Sequence, residues 1–324
     1  MQPLHFVPHV LSKVWGGRKL QDKLGKDLPD LSPYGESWEL SDHTSHHSMV
    51  ANGPLQGKTL RQLMDSNRRE LLGTNSESFP VFPWLVKFLD ANDWLSVQVH
   101  PDEHAVKTLW PGEGSKTEAW FIVDVQPGAR IYAGLKDGVD RDTLAKVAKE
   151  GTIAEYLHSF EPKPGNCVFL PAGTVHAIGG GILLAEIQQT SDATFRLFDW
   201  NRKDAQGNSR ELHLEQSLAS IHWDKGEVQP IHVDAFAQES PQEEKKSLVD
   251  CPYFSMEYIG TSQQLPLLEA QTQCLMVVRG DGFLHWDSHS EPLQTGQVWL
   301  LPAQRGNVVC QPNRDVGLLL CTLP

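Results

Sequence analysis

The sequence predicts a mainly β fold of two jelly-roll barrels with short helical insertions. Short apolar or alternating runs, separated by Gly and Pro, fill most of the 324 residues; examples are EAWFIVDV, CVFLPAG, CLMVVRGDG and VGLLLCTLP. Helical periodicity is confined to two stretches. A pair of strand patterns occurs twice, and two barrels in one chain are the simplest structure that explains this repeat.

The two helical stretches read as insertions between strands. In the first, KTLRQLMDSNRRELLG, Thr59 is the predicted N-cap, apolar residues follow at helical spacing, and Gly73 ends the helix. The second covers residues 140–160 and predicts a helix, or a helix pair interrupted near Gly151.

The strand repeat also predicts the domain organisation. The aligned pairs are Gly165 with Gly296, Pro171 with Pro302, Thr117 with Thr272, and Glu118 with Gln273. A polar, proline-containing segment, residues 226–246, lies between the two copies. We therefore expect a catalytic domain over residues 1–230 and a degenerate C-terminal barrel over residues 231–324.

The two copies differ in the side chains that carry chemistry. His176 of the first copy corresponds to Asn307 of the second, and Glu118 corresponds to Gln273. Because the first copy keeps ionisable groups where the second has amides, the candidate site belongs to the first barrel. The second barrel is predicted to be structural or an interface.

Composition and charge exclude several classes of partner. The formal net charge of −13 is spread along the chain, which argues against a nucleic acid or an anionic membrane surface as the main partner. No apolar run approaches the length of a membrane span, and the first residues lack a secretory pattern. The five cysteines form no CxxC pair. We expect a soluble cytoplasmic protein with reduced thiols.

One constellation of residues predicts a metal site. In SVQVHP, alternation puts Ser96, Gln98 and His100 on one strand face. His176 ends the pattern G-x5-P-x-G-x2-H, and Glu118 opens another strand. A lone strand histidine is more often structural, and Glu118 beside a lysine is more often a surface pair. Together, two imidazoles, a carboxylate and an amide oxygen indicate a site for Zn²⁺ that Mn²⁺ or Fe²⁺ would also fit.

These motifs resemble the type I mannose-6-phosphate isomerase family of the cupin superfamily. The G-x5-P-x-G-x2-H pattern is similar to the second cupin motif, and SVQVHP with KTE resembles the isomerases. Segments over most of the chain resemble the short bacterial form: KVWGGRKL, GESWELS, SVQVHPDE, KTE, LPAGTVHAIGGG and EIQQTSDATFRLFDWNR. Longer members have a proline where this chain has Thr117, and a larger helical insertion that this chain lacks. Both departures fit the short subfamily.

The resemblance implies a two-barrel cupin enzyme that interconverts mannose 6-phosphate and fructose 6-phosphate with one zinc ion per chain. The zinc ligands it implies are Gln98, His100, Glu118 and His176. The catalytic residues it implies are Arg196, Glu186 and Lys116. The substrate-binding residues it implies are Ser96, Lys116 and Arg196. The expected partner is a small sugar phosphate, with no nucleic acid and no membrane; no oligomeric state is implied.

The chemistry of aldose–ketose isomerisation suits these residue types. A proton moves between C1 and C2 through an enediolate, and a divalent metal stabilises the charge that develops on the two oxygens. Arg196 is permanently cationic, so it can hold an anionic oxygen or a phosphate but is a poor base. The base is left open among Glu186, Lys116 and a metal-bound hydroxide.

Two other functions and several structural interpretations stand beside this one. A cupin dioxygenase with Fe²⁺ would present more imidazoles, and a non-catalytic sugar-binding cupin is the second alternative. Arg196 is alternatively a strand residue paired with Asp192 or Asp199. The histidines of HTSHHS, residues 43–48, are expected in a solvated polar loop. Trp15 and Trp38 are expected either to line a sugar pocket or to fill the core.

Overall fold

The structure is a computed structural model that describes residues 1–203, 207–236, 243–267 and 271–324. Antiparallel strands dominate these ranges, which confirms the predicted mainly β class. The helices are α1 (Lys19–Leu24), α2 (Leu60–Leu72), α3 (Glu103–Leu109), α4 (Arg141–Glu150) and α5 (Leu214–Ser220). No helix in the described ranges combines the length and the apolar character needed to cross a membrane.

The strands are short and follow one another closely along the chain. The first eleven are β1 (Leu4–His5), β2 (His9–Gly17), β3 (Tyr34–Leu40), β4 (Asp42–His43), β5 (His46–His47), β6 (Trp84–Ala91), β7 (Val97–Val99), β8 (Glu118–Val125), β9 (Ile131–Leu135), β10 (Leu157–Phe160) and β11 (Asn166–Leu170). The others are β12 (His176–Ile178), β13 (Ile182–Gln189), β14 (Phe195–Phe198), β15 (Ile231–His232), β16 (Glu244–Asp250), β17 (Ser255–Thr261), β18 (Leu265–Leu267), β19 (Gln273–Trp286), β20 (His289–Gln294), β21 (Val298–Leu301) and β22 (Val308–Thr322).

Two sheets of the N-terminal part enclose one apolar core. The seven-stranded sheet has the order β15-β11-β8-β13-β6-β3-β2, and the five-stranded sheet has the order β10-β9-β12-β7-β14. Apolar side chains of β8 and β13 share a cluster with those of β9 and β12, for example Ile122 and Leu184 with Ile131 and Ile178. Since each strand sends alternate residues to opposite faces, this packing leaves the other face of the seven-stranded sheet free to contact a third sheet.

The third sheet is C-terminal and takes one strand from the N-terminus. Its order is β1-β21-β19-β22-β17-β16, with β18 on β22 and β20 on β19. The outer face of the seven-stranded sheet packs against it: the rings of Phe121 and Tyr258 stack with centroids 5.9 Å apart. A second cluster, which includes Leu284 and Leu293, lies within the C-terminal sheet.

The strand register agrees with the alignment of the two copies. Glu118 at the start of β8 pairs with Leu170, and Gln273 at the start of β19 pairs with Leu301. Each partner immediately precedes the aligned proline. The division into two barrels and the boundary at residue 230 stay predictions, and β15, just after that boundary, pairs with β11. Residues 237–242 of the predicted linker lie outside the described residues.

One helical prediction is confirmed and the other is half wrong. Thr59 caps α2 in a capping box, with its side chain accepting from the Gln62 N–H, and Gly73 ends the helix. In residues 140–160 only the first half is α-helix, which ends at Gly151 in the left-handed conformation with φ 78°. The second half forms a 3₁₀ turn and then β10, because its backbone pairs with β9 in the five-stranded sheet.

The expectation of a solvated histidine loop at residues 43–48 is wrong. These residues form the β4–β5 hairpin, in which Asp42 pairs with His47. His43 is buried, with Nε2 3.2 Å from a carboxylate oxygen of Glu113. His46 stacks on His9 with ring centroids 4.0 Å apart. Packing and ion pairing therefore hold the imidazoles that the polar sequence suggested were in water.

Candidate active site

A cavity of about 220 Å³ lies between the seven-stranded and five-stranded sheets. β8 and β13 contribute residues from the first sheet, and β7 and β14 contribute residues from the second. The predicted site residues on its wall are Ser96, Gln98, Lys116, Glu118, Glu186 and Arg196. The fold thus brings together side chains that are up to 100 positions apart in the sequence.

Two histidines and one glutamate form a candidate metal centre at this cavity. His100 Nε2 is 3.3 Å from one oxygen of Glu118, and His176 Nε2 is 3.4 Å from the other. All three side chains are almost fully buried. Among the described residues, they are the group of His, Cys, Asp and Glu side chains with suitable geometry for a metal ion.

Backbone carbonyls fix the orientation of both imidazoles. His100 Nδ1 lies 2.7 Å from the Ala193 carbonyl oxygen, and His176 Nδ1 lies 2.9 Å from that of Thr174. A carbonyl only accepts, so each Nδ1 is the donor and each Nε2 directs its lone pair at Glu118. Within the described residues, His100 Nε2 has no hydrogen-bond partner, and Glu118 Oε2 is 3.1 Å from the Lys116 ammonium. These buried acceptors facing one another fit a cation.

The amide of Gln98 completes the predicted ligand set. It lies on β7 directly opposite His176, with its nitrogen 3.1 Å from His176 Nε2. The Ser96 hydroxyl donates to the Gln98 amide oxygen over 3.2 Å. Turned by 180°, the same amide fills the same volume and presents its oxygen to the centre.

Protonation states at the centre also suit a cation. Burial, followed by the charge of Lys116, lowers the pKa of His100 to about 3. Burial lowers the pKa of His176 as well. Burial alone would raise the pKa of Glu118, but Lys116 and the imidazoles hold it well below its usual value. Two neutral imidazoles and a carboxylate are the forms that bind divalent metals.

The seven-stranded sheet carries a chain of alternating charges along the cavity. Lys87 Nζ is 3.1 Å from Glu186 Oε1 and 3.9 Å from Glu36 Oε2, and Lys13 is 2.9 Å from Glu36. The Trp120 indole donates to Glu186 over 3.1 Å. Burial raises the pKa of Glu186 to about 7, although Lys87 opposes the shift. The sequence analysis did not single out Lys87, although a lysine inside the apolar strand WLVKFLDA is itself a signal of a buried cation.

Trp15 and Trp38, expected to line a sugar pocket or to fill the core, are both buried. Trp15 lies on the cavity wall, so it both packs in the core and lines the pocket. The Trp38 indole donates to Glu36 over 2.7 Å and helps to orient that carboxylate.

Arg196 lines the cavity beside the candidate metal centre and the chain of charges. It lies on β14 opposite Gln98, and the described residues show no ion pair for it with Asp192 or Asp199. Its Nε is buried without a hydrogen-bond partner among them. Arg210 and His213 lie on the same wall, and the sequence analysis missed both. No periodic pattern marks them in the sequence.

The chain was compared with known proteins. The model of the phosphomannose isomerase type I catalytic domain matches residues 4–118. Mannose-6-phosphate isomerase ManA of Bacillus subtilis is 36% identical over 304 residues, which is 93% of each chain. The mannose-6-phosphate isomerase of Streptococcus mutans is 35% identical over 93% of this chain and 92% of its own length.

Solved structures agree with these relatives. The crystal structure of the mannose 6-phosphate isomerase from Bacillus subtilis has a TM-score of 0.87 and 32% identity, and the match covers 99% of both chains. The predicted enzyme class is thereby confirmed against the dioxygenase and the non-catalytic cupin. The chain belongs to the type I mannose-6-phosphate isomerase family, whose members interconvert mannose 6-phosphate and fructose 6-phosphate.

Proposed function

We propose that this isomerase works with one zinc ion held by Gln98, His100, Glu118 and His176. The observation that carries the proposal is the pair of buried imidazole Nε2 lone pairs that face the Glu118 carboxylate, with His100 Nε2 lacking a hydrogen-bond partner among the described residues. Nitrogen and oxygen donors without cysteine suit zinc and leave a coordination position for substrate. When bound, the ion supplies stabilisation for the negative charge that develops on O1 and O2.

Glu186 is the proposed base that moves the proton between C1 and C2. It lies on the cavity wall, and the Trp120 indole and Lys87 hold its two oxygens in place. A pKa of about 7 suits a group that must both take and return a proton near neutrality. Lys116 is a weaker candidate, because its nitrogen is engaged in an ion pair with Glu118 over 3.1 Å.

Arg196, Lys116 and Ser96 are the proposed substrate-binding residues. A permanent cation at Arg196 stabilises an anionic oxygen of the substrate in the cavity. Lys116 contributes a second positive charge close to the reacting oxygens, and the Ser96 hydroxyl orients the Gln98 amide. A sugar phosphate remains the proposed partner and the cytoplasm the proposed location. Local cations in the cavity offset the chain's net charge of −13 for such an anionic ligand.

Metal analysis tests this proposal. We expect about one zinc per chain in the purified protein, and loss of both zinc and isomerase activity in His176→Ala, because the three remaining ligands hold the ion weakly. His289→Ala is the matched control, since His289 is exposed on β20 and should keep both. Full activity in a rigorously metal-free preparation would refute the zinc proposal.

A further inference from the structure

The chain returns to the cavity after β14 through a segment that the isomerase chemistry above does not use. Lys203 and Ser209 form an isolated antiparallel bridge, which brings the following residues back towards Arg196. Arg210 and His213 reach the cavity wall in this way, and the Arg210 side chain is 38% exposed at the mouth. This end of the cavity therefore carries two arginines and an imidazole on neighbouring stretches of backbone.

Two arginines, Arg196 and Arg210, share this end of the cavity with Asp192. Burial, followed by the charge of Arg210, lowers the pKa of Arg196, as expected for two cations that share a pocket. Asp199 accepts from Arg202 over 2.8 Å and from Arg210 over 3.4 Å, so one carboxylate serves two arginines. Within the described residues, Arg196 forms no ion pair and its Nε has no hydrogen-bond partner. A bound anion would satisfy these donors.

His213 is held as a hydrogen-bond donor towards the same space. Its backbone N–H donates to the Arg196 carbonyl over 2.8 Å, and the Arg196 N–H donates to His213 Nδ1 over 3.3 Å. With Nδ1 accepting, the neutral ring carries its proton on Nε2. The nearest carboxylate oxygen to Nε2, from Glu211, is 4.0 Å away on a side chain that is 84% exposed. The Nε2 proton is thus available for a ligand.

Strand register relates this cationic end to the metal centre. Gln98 on β7 pairs with His176 of β12 on one side and with Arg196 of β14 on the other, so the three form a row on one face of the five-stranded sheet. Each step between strands is about 5 Å. A hexose 6-phosphate carries its reacting C1 and C2 at one end and its phosphate at the other. With C1 and C2 at the metal centre, the phosphate points along this row.

We propose that Arg210 and His213, together with Arg196, form the subsite for the phosphate of the substrate, an inference that rests on the proposed function. Arg210 supplies a planar guanidinium that binds two phosphate oxygens, and His213 donates through Nε2. Arg210 is a specificity residue in this arrangement: it binds the end of the substrate that does not react.

The test compares two arginines that share Asp199. Arg210 lines the cavity, whereas Arg202 lies outside it. We expect Arg210→Gln to raise the KM for mannose 6-phosphate and the Kd for inorganic phosphate by about 10–100-fold, the effect of losing one charged hydrogen-bonding group. Its kcat and zinc content should stay close to wild type, because uniform binding is what is lost. Arg202→Gln should change neither constant.

A further variant separates the charge of Arg210 from its planar geometry. Arg210→Lys keeps the charge but loses the fork, so its KM and Kd should lie between those of wild type and Arg210→Gln. A fall in kcat with unchanged KM and unchanged phosphate Kd would overturn the inference, as would an equal loss in Arg202→Gln. A different outcome is a wild-type protein that binds phosphate without showing isomerase activity, and an Arg210→Gln variant that no longer binds phosphate. In that case the proposed function would fail and the phosphate subsite would stand.

Discussion

Lys87 lies between two buried carboxylates, Glu36 and Glu186, and favours the ionised form of each. Burial would lower the pKa of this lysine, but Glu186 and Glu36 raise it instead. Burial would likewise raise the pKa of Glu36, but Lys87 and then Lys13 lower it to about 2. Each charge is stable in the apolar interior because its neighbour has the opposite sign.

Replacing this lysine should harm both stability and turnover. Lys87→Met leaves Glu36 and Glu186 without their shared partner, so we expect the free energy of unfolding to fall by about 3–5 kcal/mol. The kcat should also fall, because Glu186 loses the contact that orients it. Urea unfolding and steady-state kinetics measure the two effects. Lys13→Met is the control: its side chain is 35% exposed and should contribute under about 1 kcal/mol. Equal effects of the two variants would contradict this account.

The candidate site residues that could be predicted from the sequence are those that belong to a local sequence pattern. Alternation pointed to Gln98 and His100, and glycines and a proline at fixed spacing pointed to His176. Lys87 lay within an apolar strand whose two faces are both buried, so alternation could not show where its ammonium points. Arg210 is positioned by a chain reversal, and chain reversals depend on tertiary contacts.

At the scale of elements, the two aligned strand pairs keep one register but hold different cations. Glu118 and Gln273 stand at equivalent positions of β8 and β19. Beside Gln273, the buried guanidinium of Arg305 donates to its amide oxygen over 2.6 Å and to the Pro302 carbonyl over 2.7 Å. A side-chain cation thus occupies the second copy at the point that corresponds to the candidate metal centre of the first.

This difference predicts that the second copy is structural. We expect Gln273→Ala to keep the wild-type metal content and near-normal turnover, since Gln273 lies outside the cavity. Stability should fall by about 1–3 kcal/mol, because the buried guanidinium loses an acceptor. Thermal unfolding and metal analysis check both statements, with Gln294→Ala on exposed β20 as the control. A second bound metal, or lost turnover in a folded variant, would show that the alignment misleads.

Elements were predictable where local and tertiary preferences agree. α2 has its cap, its apolar face and its terminal glycine in the sequence, and all three are present in the structure. Residues 157–160 have a helical pattern in the sequence, but they form a strand because they pair with β9, more than 20 positions away. The β4–β5 hairpin is similar: its polar sequence indicated a loop, but His43 is buried against Glu113 and His46 stacks on His9.

At the scale of the whole molecule, the N-terminal and C-terminal parts share one core. Trp84 and Phe121 of the seven-stranded sheet belong to the same cluster as Tyr258 and Leu319 of the C-terminal sheet. β1 at the N-terminus pairs with β21 near the C-terminus. A buried ion pair between Lys26 and Glu39, with N–O distance 2.7 Å, adds a contact in which the same ammonium donates to the Gly296 carbonyl. These connections indicate that the predicted domains unfold together.

Leu293→Ala tests this cooperativity from the far side of the molecule. Leu293 is fully buried in the cluster within the C-terminal sheet, so its truncation should cost about 2–5 kcal/mol through lost burial and a cavity. If the two parts unfold as one, calorimetry shows a single transition whose midpoint falls, and isomerase activity, whose candidate site lies in the N-terminal part, disappears at that same lower temperature. If they unfold separately, the variant shows two transitions, and activity survives to the wild-type temperature. We expect the single transition, because the shared core and the β1–β21 pairing expose apolar surface on the N-terminal part as soon as the C-terminal sheet opens.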